Sequence, residues 1–130
     1  MPYLELPGAR ISYEVSGSGP ALVFAHGLGG NHLSWWQQVP AFNDRYSCVT
    51  FAHRGFAPSA EEPGGPGAAA FADDLEALID HLGLGDVRLV AQSMGGWTCL
   101  AYALRHPERV RALVMCDTTG TLAHPGFGAL

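Results

Sequence analysis

The sequence predicts an α/β fold: a mostly parallel sheet that begins with an antiparallel hairpin and carries helices on both faces. Three observations predict it. Four short runs, at residues 21–25, 46–51, 87–90 and 110–116, are largely apolar and branched, as strands covered on both faces require. Segments with apolar residues three and four apart lie between the later runs, and strands alternating with helices become parallel neighbours in one sheet. The first fifteen residues instead alternate apolar and polar side chains, which reads as a hairpin with one covered face.

In order, residues 3–6 (Tyr-Leu-Glu-Leu) and 10–15 (Arg-Ile-Ser-Tyr-Glu-Val) are the hairpin strands, with Pro7-Gly8 supplying the turn. Residues 16–20 (Ser-Gly-Ser-Gly-Pro) form a second turn. The run 21–25 (Ala-Leu-Val-Phe-Ala) is a buried strand that empties into the glycine-rich loop His26-Gly27-Leu28-Gly29-Gly30. Residues 33–42 read as a short helix, interrupted or ended near Pro40, because proline removes a backbone donor. The strand 46–51 follows, then a Gly- and Pro-rich loop over 52–67. Its stretch 61–67 is the most linker-like piece of the chain. It reads as a surface loop, since the strands on either side belong to one sheet, and residues 1–130 therefore form a single domain. Residues 68–82 place Phe71, Leu75, Leu78, Ile79 and Leu82 on one helical face. Asp73, Asp74 and Glu76 sit near the start of that helix, where its dipole favours negative charge, and Gly83 and Gly85 stop it. A strand from Val87, a sharp turn at Ser93 and a helix over 94–105 come next. His106-Pro107-Glu108 ends that helix, Val110–Cys116 is the last buried strand, and 117–130 is turn-rich without a clear element.

The chain has 130 residues, 48% of them apolar, and a net charge of −5. That length suits one core and not two. The acidic balance, with no basic run, argues against nucleic acid as a partner. No apolar run is long enough to span a membrane. The opening Met1-Pro2-Tyr3-Leu4-Glu5 is no signal peptide, so a cytoplasmic protein is expected. Cys48, Cys99 and Cys116 match neither a disulfide framework nor a metal site. Each lies in an apolar stretch, so three buried thiols are expected. No metal and no organic cofactor is implied, and there is no internal repeat.

The residues around Ser93, Val87-Arg88-Leu89-Val90-Ala91-Gln92-Ser93-Met94-Gly95-Gly96, combine a buried strand, a tight turn and a helix start. This stretch resembles the nucleophile elbow of the α/β-hydrolase family, Gly-x-Ser-x-Gly. Ala91 stands in place of the first glycine and adds one methyl group. The loop His26-Gly27-Leu28-Gly29-Gly30 leaves the carboxyl end of its strand, as Ser93 does. If the two strands are neighbours, both features face one crevice. The loop is then an oxyanion loop; the other reading is a plain tight turn whose glycines serve conformation alone. A third piece, His53-Arg54-Gly55-Phe56-Ala57-Pro58-Ser59, resembles the family's Asp-x-Arg-Gly-x-Gly-x-Ser loop, which is structural in most members. Here Ala57 and Pro58 occupy the second-glycine region, and His53 is a poor candidate for a base. The three motifs, in order, cover residues 21–116, and the resemblance implies a partial α/β-hydrolase fold.

That resemblance implies Ser93 as nucleophile and the backbone N–H groups of Leu28 and Met94 as an oxyanion hole. Leu28 takes its place by motif position. His26, Gly27, Gln92 and Trp35 are expected along the substrate pocket. Trp35 and Trp36 read equally as core or interface aromatics, and Trp97 as packing. The family order is serine, acid, histidine. Asp117, directly after the last strand, is a candidate acid; its other reading is a turn-initiating residue before Thr118-Thr119-Gly120. After Ser93 only His106 and His124 remain. The first reads as structural, and nothing in the pattern directs the second to the crevice. The chain is therefore expected to be the amino-terminal half of a longer hydrolase, with residues 112–116 an apolar sheet edge open to self-association. The implied function is a serine hydrolase that acts on a small carboxylic ester, lactone or similar carbonyl compound through a Ser93 acyl-enzyme, as part of a longer chain. A serine at the elbow argues against the dehalogenase and epoxide-hydrolase branches, where the resemblance implies an aspartate nucleophile. The alternative is a non-catalytic remnant, or a binding or interaction module, that keeps the scaffold without a base.

Overall fold

A computed structural model describes residues 1–120. One sheet holds strands β1 (Tyr3–Leu6), β2 (Ala9–Ser16), β3 (Ala21–Ala25), β4 (Ser47–Phe51), β5 (Ala60–Glu61), β6 (Val87–Gln92) and β7 (Val110–Cys116). Their order is β1-β2-β4-β3-β6-β7, with β5 added to β2. The β1–β2 and β2–β4 pairs are antiparallel, whereas β4, β3, β6 and β7 run parallel. The helices are α1 (Gln38–Phe42), α2 (Phe71–His81) and α3 (Gly95–Arg105). None of the described helices is long and apolar enough to cross a membrane.

The period-2 and period-3.6 patterns sort into two cores. On one face Leu75, Leu78 and Ile79 of α2 and Cys99 and Tyr102 of α3 pack on Val23, Val49 and Leu89. On the other, Trp35, Val39 and Phe42 cover Leu22, Phe24 and Cys48. Burying each such leucine, isoleucine or phenylalanine contributes about 1.5–3 kcal/mol. β3 is the centre of the sheet and all five of its residues are buried.

Four details differ from the sequence reading. The expected helix over 33–42 is a 3₁₀ turn, His32–Trp35, followed by α1. Asn31 fixes that turn: its side-chain oxygen accepts the Leu33 N–H, and Ser34 returns a bond to the Asn31 N–H. Pro40 lies inside α1, in the first turn, where no N–H partner is lost. The 52–67 loop contains β5, and α2 begins at Phe71 after a 3₁₀ turn at Gly67–Ala70. The last strand is only partly covered: Ala112, Val114 and Cys116 are exposed along one face of the edge strand β7. Cys116 is consequently exposed, whereas Cys48 and Cys99 are buried as expected. Burial pushes the Cys99 thiol up to about 12 and the Cys48 thiol up from its ordinary value.

Candidate active site

Neighbouring parallel strands bring the first two motifs together. Ala25, the last residue of β3, pairs with Ala91 of β6, so the loop from His26 and the turn at Ser93 leave the same edge side by side. Ser93 has φ +50°, a left-handed conformation that side chains with a Cβ seldom adopt. Its N–H donates to the Cys116 carbonyl at 2.9 Å, and its own carbonyl accepts the Gly96 N–H at 2.9 Å. The chain thus reverses within one residue, and Ser93 is left partly exposed at the apex.

The local sequence is what allows this. A Cβ on Gly95 would overlap the backbone carbonyl of Ala25, and one on Gly96 would overlap the Thr118 side chain. The first neighbour is main chain and cannot swing away. Gly95→Ala is expected to cost about 1–3 kcal/mol through overpacking. Urea denaturation measures it, and an unchanged midpoint would show that the β3–α3 approach has slack. Ala91 is fully buried and is accommodated where a glycine is usual.

The loop is equally constrained. The Gly30 N–H donates to the Gly27 carbonyl at 3.0 Å, and Gly29 has φ +81°. Glycine at the third position is what a type II turn requires. Gly27 lies so close to the Gln92 side-chain amide that any Cβ there would overlap it. Leu28 sits at the tip, 81% exposed, and Met94 is buried directly after Ser93. The loop and the elbow therefore leave the ends of neighbouring strands, β3 and β6, with Leu28 exposed at the tip of one and Ser93 partly exposed at the apex of the other.

Of the other expected site residues, His26 and Trp35 lie away from the elbow. His26 does not line the pocket. It is fully buried, with Nδ1 2.7 Å from the Gly27 carbonyl and Nε2 2.9 Å from the His53 N–H. The residue after a strand covered on both faces is still inside the core. Trp35 packs against Phe24, ring centroids 5.0 Å apart. It lines a cleft with His32, Cys48 and Thr50 to which neither the elbow nor the His26 loop contributes. Gln92 is exposed next to Ser93. Asp117 is exposed at the carboxyl end of β7 with φ +48°. His124 lies outside the described residues.

Among the described residues no imidazole is hydrogen-bonded to Ser93. His53 meets Thr98 at 2.7 Å, His81 meets Tyr13 at 3.3 Å, and His106 meets Glu76 at 2.8 Å. His32 lies 3.8 Å from Glu14. No three described His, Cys, Asp or Glu side chains gather to hold a metal ion.

The third motif braces the scaffold. Arg54 forms a two-pronged pair with Asp74 of α2, both bonds 2.7 Å, and reaches Glu61 of β5 at 3.1 Å. The hydrogen bonds to Asp74 hold its guanidinium above the ordinary value. Burial pushes the Asp74 carboxyl up while Arg54 pulls it down; the buried two-pronged geometry is that of an ion pair. Ser59 accepts the Ser12 N–H at 2.8 Å and donates to the Ala52 carbonyl at 2.7 Å.

Comparison with known proteins gives a consistent picture. Residues 20–128 match the alpha/beta hydrolase fold family. A protein of Azorhizobium caulinodans provisionally named carbamate hydrolase RutD is 30% identical over 90% of this chain and 44% of its own length. The 3-oxoadipate enol-lactonase 2 of Acinetobacter baylyi is 32% identical, over 79% of this chain and 39% of its own. Among solved structures, the epoxide hydrolase CorEH superposes with a TM-score of 0.87 at 26% identity, over 95% of this chain and 44% of that one. The chain thus spans less than half the length of each of these proteins.

Proposed function

The chain belongs to the alpha/beta hydrolase fold family, and from that premise we propose that it is the nucleophile-bearing part of a serine hydrolase for small carbonyl compounds. The carrying observation is Ser93 at φ +50°: a serine with a Cβ is held in a conformation glycine would adopt more easily. Such strain persists where surrounding structure enforces it, and it clusters at reacting groups. In the proposed step Ser93 Oγ bonds to the substrate carbonyl carbon, its proton passes to a base, and the carbonyl oxygen becomes an oxyanion. The N–H groups of Leu28 and Met94 stabilise that charge. Collapse expels the leaving alcohol or amine with the proton returned, and water then hydrolyses the acyl-enzyme. Carboxylic esters and lactones fit this chemistry, as does the carbamate in one relative's name. The epoxide hydrolase likeness supports the shared scaffold, whereas an epoxide has no carbonyl for this route.

The base and its acid are assigned to sequence beyond these residues, with Asp117 the one candidate acid among the described ones. Sequencing the gene past the codon for Leu130 tests this assignment. An in-frame continuation with a late Asp and His is expected; an immediate stop codon with a monomeric product would overturn it. In the longer product, Ser93→Ala is expected to lower p-nitrophenyl acetate turnover by roughly 10⁴-fold. Retention of full activity would exclude Ser93 as nucleophile. The 130-residue chain and its Ser93→Ala variant are expected to hydrolyse equally slowly. A second reading, a binding module without catalysis, draws on the observation that no described imidazole is hydrogen-bonded to Ser93. It predicts no Ser93-dependent turnover from either product.

A further inference from the structure

Three buried side chains, far apart in sequence, form one line of hydrogen bonds behind the loop. His26 Nε2 is 2.9 Å from the His53 backbone N–H and 3.1 Å from His53 Nδ1. His53 Nε2 is 2.7 Å from Thr98 Oγ1, and His26 Nδ1 is 2.7 Å from the Gly27 carbonyl. Two backbone groups, the His53 N–H and the Gly27 carbonyl, fix every proton along the line. A backbone N–H can only donate, so His26 Nε2 accepts, and the neutral ring carries its proton on Nδ1. A carbonyl can only accept, so that Nδ1–H donates to Gly27. Because His26 Nε2 accepts, His53 Nδ1 donates to it. His53 Nε2 then accepts from the Thr98 hydroxyl. Thr98 and both histidine rings are buried at 1% exposure or less, so the order is not scrambled by solvent.

The Gly27 carbonyl and the Leu28 N–H belong to one planar trans peptide and point in opposite directions. Holding the carbonyl inward on His26 turns the Leu28 N–H away from the core, toward the side where Leu28 is exposed. At the other end Thr98 belongs to α3, whose cap residue Met94 carries the second N–H. The line therefore ties together the two peptides of the oxyanion hole.

We propose that Thr98 and His53, acting through His26, are positioning residues that aim the Leu28 N–H at the oxyanion and set its place relative to the Met94 N–H. This rests on the reading of those two groups as oxyanion donors. The Gly30 N–H closes the turn on the Gly27 carbonyl at 3.0 Å, and the relay adds a second, buried anchor on the same oxygen through His26 Nδ1. Burial holds both rings below the ordinary imidazole value, so the neutral protonation pattern the relay needs is the stable one.

The test uses the full 130-residue chain with nitrogen-15 NMR, and then turnover. Ring shifts should show both His26 and His53 as Nδ1–H tautomers. Thr98→Val should release the loop, with backbone order parameters at 27–30 falling from near 0.85 toward roughly 0.6, and Thr98→Ser should restore them. In the Ser93-dependent enzyme, Thr98→Val should lower kcat by about tenfold or more with KM within about twofold, since a misaimed donor weakens the transition state alone. An Nε2–H tautomer at His26, or unchanged loop order in Thr98→Val, overturns the relay. A fall in melting temperature with no kcat-against-KM split reduces it to packing. Loss of Ser93 dependence would overturn the hydrolase reading while the NMR arm still judges the relay. The tautomers of the unmutated chain decide the matter even if Thr98→Val fails to fold.

Discussion

Arg54→Met is expected to lower the stability of the fold by about 3–5 kcal/mol, because it strands a buried carboxylate. Arg54 and Asp74 are 7% and 6% exposed. Methionine matches much of the arginine volume and fills the space with apolar atoms. What it cannot replace is the pair of 2.7 Å bonds to Asp74 or the bond to Glu61. Asp74 must then stay charged without a partner or take up a proton, and both cost stability. The loss removes the bracket between α2, β5 and the loop after β4. Thermal denaturation should show a fall of roughly 10–20 °C. The double variant Arg54→Met with Asp74→Leu distinguishes the cause, since removing both charges should recover most of the loss. A double variant as unstable as the single one would mean that packing, not the stranded charge, sets the cost.

The parts of this molecule that were legible in the sequence are those written in neighbouring residues. The run at 21–25, the heptad-like spacing from Phe71 to Leu82, and Ser93 between a strand and two glycines each carry their meaning locally. The sheet follows from them, and the adjacency of β3 and β6 then joins the elbow to the His26 loop. What stayed hidden depends on partners distant in the chain. His26 looked like a pocket residue because it precedes the loop; its ring direction is decided by His53, 27 residues on. Thr98 carried no signal at all, since a threonine in a helix becomes meaningful only when His53, 45 residues before it, arrives 2.7 Å away. β5 has two residues, too few for a period to show. Trp35 and Cys116 divided according to cover: Trp35 found Phe24 beneath it, and Cys116 sits on an edge strand whose outer face is bare.

The same histidine pair makes stability fall on mild acidification. His53 is held well below the ordinary imidazole value by burial and by the nearby His26, and His26 is lowered chiefly by burial. Phe51, Phe56 and Phe71 ring His53, and neither imidazole meets a described carboxylate. The sign follows from proton counting. Below an unfolded pKa of about 6.5 the unfolded chain binds protons that the native chain refuses, so acid favours unfolding. Stability is complete above that value and is lost as pH falls through it. Each ring that stays neutral in the native state down to pH 5 removes about 2 kcal/mol by that point, so the pair removes up to about 4 kcal/mol. Ordinary carboxylates are still ionised there and add little. Urea denaturation between pH 7.5 and 5 should show this slope, and His53→Gln should flatten it by about half, because glutamine can donate and accept without titrating. A profile that stays level over this range would mean that the native state takes up the same protons. The relay would then have to break, since a protonated His26 has no lone pair to accept the His53 N–H.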